Sequence, residues 1–140
     1  MPVDLIDEIL TMSKTIAVVG LSDNPNRDSH RVASYLKRVG YRIIPVNPTI
    51  DEVLGERCYP DLRSVPESVD IVDIFRRSDK VAPVVDEAIL KSAKYVWMQD
   101  GVADESAAER ARAAGISVVM DNCTMREHRR RYRNTRSQEQ

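Results

Sequence analysis

Three short segments of the chain gather side chains able to hold an anion. The first, Gly20-Leu21-Ser22-Asp23-Asn24-Pro25-Asn26-Arg27-Asp28-Ser29, offers hydroxyl and amide donors at Ser22, Asn26 and Ser29 and a cation at Arg27. An apolar run, Thr15 to Val19, precedes it and a helix-forming segment follows, so these donors meet the positive end of a helix, where phosphate binds readily. The second, Phe75-Arg76-Arg77-Ser78, sets two guanidinium groups at another strand end before a helix, with Phe75 able to lie beside an aromatic base or an aliphatic arm. The third, Trp97-Met98-Gln99-Asp100-Gly101, adds the amide of Gln99 and, at Gly101, a backbone that a ligand can approach closely. Each has a plainer reading taken alone: Asp28 or Ser29 capping a helix, Arg76 and Arg77 solvated, Trp97 in the core. Together they read as a polyanion site.

A fourth segment narrows the anion. A dinucleotide site of the G-x-G-x-x-G type needs three glycines after its first strand, and this chain has only the strand-ending Gly20. Such a site also ends its second strand with an acid that holds the ribose hydroxyls, whereas here Val46-Asn47-Pro48 has no carboxylate. NAD is therefore the weaker expectation. Neutral Asn47 beside Pro48 would not repel a phosphorylated ribose, and coenzyme A carries a 3'-phosphate as well as a pyrophosphate, so it calls for cations.

Other reactive side chains define no catalytic set. Cys123 follows the last strand at the same sheet edge, where a mixed disulfide with a thiol ligand is conceivable, but a buried structural cysteine is the commoner case. His128 beside Glu127 lies on an arginine-rich segment, and no serine or cysteine is placed to complete a triad with it. Asp70, Asp73, Asp100 and Asp121 fall near strands and their ends without metal-ligand spacing, so no metal site is expected.

The elements that must position these segments alternate along the chain. Leu5, Ile6, Ile9 and Leu10 have helical spacing. Thr15–Gly20 is a strand covered on both faces, and Ser29–Val39 is a helix that Gly40 stops. Arg42–Asn47 is a second strand ended by Pro48, and Val69–Phe75 a third, with a short strand near Cys58 and Tyr59 in the connection between them. A helix follows Ser78, kinked or delayed by Pro83. Lys94–Met98 and Ile116–Met120 are further strands flanking a helix over Asp104–Ala114. The pattern predicts an α/β fold: a Rossmann-like, doubly wound, mostly parallel sheet of five or six strands with helices on both faces. Residues 1–132 form one domain in this reading. Thr124–Tyr132 closes it as a helix, and 133–140 is a polar tail expected to fray.

These segments, in their order and spacing, closely resemble the stand-alone CoA-binding protein family, which is similar to the CoA-binding domain of the succinyl-CoA synthetase α subunit. The carriers run from about Ile9 to Arg131: Val19-Gly20-Leu21-Ser22 with Pro25, Arg27-Asp28-Ser29 and Arg31-Val32; Tyr35-Leu36; Gly40 to Pro48; Val72 to Arg77; and Val96 to Gln99 with Gly101. The resemblance implies a coenzyme A pyrophosphate at the first loop, held by Gly20, Ser22, Asn26, Arg27 and Ser29. Asn47, Pro48, Phe75, Arg76, Gln99 and Gly101 would border the remainder. The synthetases transfer phosphoryl groups through a histidine in a further domain, and His30 and His128 belong to other segments. The family often has arginine before the cysteine where this chain has Asn122.

Composition sets the outer limits. The chain has 140 residues, 42% hydrophobic and 31% charged, with a formal charge of -1, which gives no global attraction to nucleic acid or anionic lipid. Two cysteines in no ligand spacing fit a reducing cytoplasm, and neither a signal peptide nor a spanning segment is expected. The expected function is binding of coenzyme A or an acyl-CoA as a non-catalytic carrier, sensor or partner subunit. The alternatives are a small CoA- or nucleotide-dependent enzyme completed by a partner, or nucleic-acid binding through the arginines from 126 to 136. A protein partner or a homodimer is compatible with either of the first two.

Overall fold

The computed structural model describes residues 4–139, with side chains described through Tyr132. Five parallel strands form the sheet: β1 (Thr15–Val19), β2 (Arg42–Val46), β5 (Ile71–Ile74), β6 (Tyr95–Met98) and β7 (Ser117–Val119), in the order β2-β1-β5-β6-β7. The short strand expected near Cys58 is one arm of a small antiparallel hairpin, β3 (Glu52–Val53) and β4 (Glu56–Arg57), outside the main sheet. Tyr59 just beyond it bridges to Val46.

Strand residues alternate between two cores, as a strand's two-residue period requires. Ala17, Val19, Ile44, Val46, Val72, Ile74, Val96 and Met98 face α3 (Val81–Leu90) and α4 (Glu105–Ala113). Ile16, Val18, Ile43, Ile71, Tyr95 and Trp97 face α1 (Leu5–Met12), α2 (Asp28–Arg38) and α5 (Thr124–Glu139). Both faces are largely apolar because both are covered, which is why most of the strands read as hydrophobic runs, with Asp73 in β5 as a buried exception. Each fully buried aliphatic side chain here contributes about 1.5–3 kcal/mol relative to exposure.

Local chemistry sets the element ends. Asp4 caps α1 through bonds from the Ile6 and Asp7 amides at 2.9 and 3.3 Å, and Asp104 caps α4 through the Ala107 amide at 3.0 Å. A 3-10 turn over Ser78–Lys80 delays α3 to Val81, so Pro83 sits in the first turn, where its missing N–H costs no helical bond. α5 starts at Thr124 as expected, and its backbone stays helical past Tyr132 to Glu139. Of the expected loose tail, 133–140, the side chains and Gln140 lie outside the described residues.

Strand order reverses between β1 and β5: β1 leads through α2 to β2 on one side, and β5 leads through α3 to β6 on the other. The loops after β1 and β5 therefore diverge and leave a crevice at the carboxyl ends of the strands, the usual ligand position in such sheets.

Candidate functional site

Gly20 ends β1 with φ +91°, and a Cβ placed there would lie 2.6 Å from the Phe75 carbonyl oxygen and 3.1 Å from Arg76 Cδ. Only glycine lets the loops after β1 and β5 meet this closely. The β1 loop is shaped by its own side chains: Ser22 Oγ accepts from the Asn24 amide at 3.0 Å, Asn24 Oδ1 from the Asn26 amide at 2.9 Å, and Ser29 Oγ from the Ser22 amide at 3.0 Å. Arg27 occupies the N-cap position of α2 without a side-chain cap bond, so neither Asp28 nor Ser29 caps that end. Gly20, Ser22, Asn26, Arg27, Asp28, Ser29 and Phe75 surround a cleft of about 550 Å³ at the start of the helix.

Asp28 and Phe75 also border a second, larger cavity of about 930 Å³. Its charged wall holds six arginines: Arg31 of α2, Arg76 and Arg77 after β5, and Arg126, Arg129 and Arg130 of α5. Val32, Phe75, Val102, Cys123 and Met125 supply an apolar wall, and Gln99 and Gly101 complete it. Four of the guanidinium groups are tied to carboxylates: Arg31 to Asp28, Arg77 to Asp79 at 3.3 Å, Arg126 to Asp100 at 2.8 Å and Arg130 to Glu127 at 2.7 Å. Arg126 grips Asp100 with both terminal nitrogens and so holds that carboxyl below its ordinary range. Arg129 stacks over Tyr35, 5.2 Å from the ring centre. Among the described residues at these two spaces, Arg27, Arg76 and Arg129 form no ion pair, and Arg129 alone of the three lies over a ring, which leaves the guanidinium groups of Arg27 and Arg76 for an incoming anion.

The sequence-predicted residues divide accordingly. Gly20, Ser22, Asn26, Arg27, Ser29 and Phe75 gather around the smaller cleft, and Phe75, Arg76, Gln99 and Gly101 around the larger cavity. Asn47 and Pro48 line neither of these spaces. Asn47 instead ties the loops together: its Nδ2 donates to the Leu21 carbonyl at 3.0 Å and its Oδ1 accepts from the Thr49 amide and hydroxyl at 2.9 and 2.8 Å. The α5 arginines were read from the sequence as a solvated closing helix or a nucleic-acid tail, yet three of them form a wall of this cavity. Their spacing at 126, 129 and 130 was the available signal, because it sets them on one helix face.

The carboxylates that lacked metal spacing each have a structural partner. Asp70 accepts from the Lys14 and Thr15 amides at 2.8 and 3.1 Å, and Asp121 accepts from the Gly101 amide at 2.7 Å. Asp73 is fully buried in β5, between Val18 and Trp97 on the neighbouring strands. Burial pushes its carboxyl up to about 7, against the pull of hydrogen bonds from Gln99 and Thr124. Cys123 is a buried cavity-wall residue whose thiol burial also pushes upward, which disfavours the thiolate that disulfide exchange needs. Trp97 is core, as expected, and its indole N–H donates to the Asn122 carbonyl at 2.9 Å. Among the described residues no helix is long and apolar enough to cross a membrane.

A five-stranded parallel sheet with helices on both faces and a basic crevice at its switch point is a Rossmann-like α/β domain. The chain belongs to the CoA binding domain family, whose model matches residues 14–129. It is 46% identical over 118 residues to the Bacillus subtilis protein YneT, covering 84% of this chain and 87% of that one. A solved structure of a Pyrococcus horikoshii protein superposes with a TM-score of 0.87 at 43% identity, covering 89% of this chain and 88% of that chain. An ADP-forming acetate–CoA ligase of Archaeoglobus fulgidus is 28% identical over 126 residues. That match covers 83% of this chain but only 18% of the ligase.

Proposed function

We propose that this protein binds coenzyme A, free or acylated, in the joined clefts at the carboxyl edge of the sheet, and acts as a carrier, sensor or partner subunit with no chemistry of its own. The observation that carries the proposal is the six-arginine wall of the larger cavity, which shares Asp28 and Phe75 with the cleft beside Gly20 at the start of α2. The pyrophosphate belongs at Gly20, Ser22, Asn26, Arg27 and Ser29, where helix amides and a free guanidinium converge. The larger cavity takes the rest: guanidinium groups suit the 3'-phosphate, and the apolar wall of Val32, Phe75, Val102 and Met125 suits the aliphatic arm. Asn47 supports the site by fixing the first loop. Family membership and the match to part of a CoA ligase support this choice of ligand, and the ligase match also makes a larger protein partner a reasonable setting. Calorimetric titration with coenzyme A, dephospho-coenzyme A, NAD and ATP tests it. Coenzyme A should bind tightest and dephospho-coenzyme A more weakly for want of one phosphate; equal affinity for NAD would overturn the assignment.

A further inference from the structure

One polar cluster lies beneath the cavity, and its hydrogen bonds run in one direction only. Gln99 Nε2 donates to Asp73 Oδ1 at 2.7 Å and to Thr124 Oγ1 at 2.8 Å. Thr124 Oγ1 in turn donates to Asp73 Oδ2 at 3.2 Å. Above about pH 7, where Asp73 is ionised, its carboxylate only accepts, and the threonine hydroxyl has committed its single proton to Asp73, so toward Gln99 it too can only accept. Both hydrogens of the Gln99 amide are thereby engaged. Flipping that amide would set its carbonyl against a carboxylate. Gln99 Oε1 has no partner among the described residues, and Ser13 Oγ is the one fully buried side-chain polar atom there without a partner, so Oε1 keeps some accessible surface. Gln99 is only 3% exposed and borders the larger cavity.

We infer that Gln99 presents its side-chain carbonyl to the cavity as a fixed hydrogen-bond acceptor, oriented by Asp73 and Thr124, and that it selects a ligand bringing an N–H donor to that point. Asp73 and Thr124 are positioning residues that never touch the ligand. The inference rests on the coenzyme A reading, and that ligand has two kinds of donor: amide N–H groups in its arm and the amino group of its adenine.

The test is calorimetry at about pH 8, where Asp73 is ionised, with coenzyme A, 4'-phosphopantetheine and adenosine 3',5'-bisphosphate. Asp73→Asn keeps the shape of the side chain but gives it a donor, so the network can invert and turn the Gln99 amide nitrogen to the cavity. The variant should bind coenzyme A about fivefold more weakly, the value of one neutral hydrogen bond, with no fall in melting temperature. One of the two fragments should lose affinity and the other should not, which identifies the donor. In a Gln99→Met background, Asp73→Asn should have no further effect. Unchanged coenzyme A affinity in Asp73→Asn, equal losses for both fragments, or additivity with Gln99→Met would each overturn the inference while wild-type binding leaves the coenzyme A reading standing. Failure of the wild type to bind coenzyme A would remove both.

Discussion

Asp73→Asn should make the protein more stable at neutral pH, and the gain should depend on pH in a defined way. Asp73 is fully buried, and its carboxyl is raised from an ordinary 3.8 to about 7. Between those values the folded chain holds a proton that the unfolded chain has released, so stability falls as pH rises. The contribution is fully present below 3.8 and is lost as pH climbs through about 7. At about 1.4 kcal/mol per decade, the whole window amounts to about 4 kcal/mol. Glu56, Glu67, Asp70 and Asp100 are held below their ordinary range and drive stability the opposite way at acid pH. Subtracting the wild-type curve from that of the variant cancels them. Urea unfolding followed by fluorescence of the single tryptophan, Trp97, provides both curves. The difference in unfolding free energy should grow by about 2–3 kcal/mol between about pH 5 and pH 7.5 and then level off. Parallel curves would show that Asp73 does not carry the buried charge assigned to it.

Three further outcomes follow from the same geometry. Gly20→Ala must adopt φ +91° and push against the Phe75 carbonyl, so it should lose at least about 1–2 kcal/mol in urea unfolding and most of its coenzyme A affinity in calorimetry. Arg76→Ala removes a guanidinium with no hydrogen-bond or ion-pair partner among the described residues, so it should weaken coenzyme A about tenfold or more with little change in melting temperature, and the loss should shrink as salt is raised. Cys123 should react slowly with iodoacetamide at neutral pH, because burial raises its thiol, and more slowly still with coenzyme A bound; mass spectrometry over time measures both rates.

The sheet was legible because both of its faces are covered. Ile16 to Val19 and Ile43 to Val46 read as continuous apolar runs, and Gly20 and Pro48 mark where their strands stop. Pro83 signalled the late start of α3 for a local steric reason, and such reasons survive in sequence. What depends on tertiary arrangement was harder to read. Asn47 was expected to border the ligand because it ends a strand at the right edge, and no local pattern announced that its amide also holds Leu21 and Thr49. Arg126, Arg129 and Arg130 looked like a solvated tail because nothing local says that α5 packs beside α2 and turns that face to the crevice. Asp73 was grouped with Asp70, Asp100 and Asp121 only as a carboxylate near a strand end, although an acid inside Ile71-Val72-Asp73-Ile74, a run buried on both faces, was itself the clue to a polar cluster in the core.

The central claim is that coenzyme A occupies the joined clefts where β1 and β5 diverge. The most direct measurement is an amide NMR titration of the assigned protein with coenzyme A. Shifts concentrated at Gly20, Ser22, Ser29, Arg76, Gln99, Gly101 and Arg126, at ends of β1, β5, β6 and at the starts of α2 and α5, are the expected result. Shifts confined to α3, α4 or the β3–β4 hairpin, or no shifts at saturating coenzyme A, would contradict it.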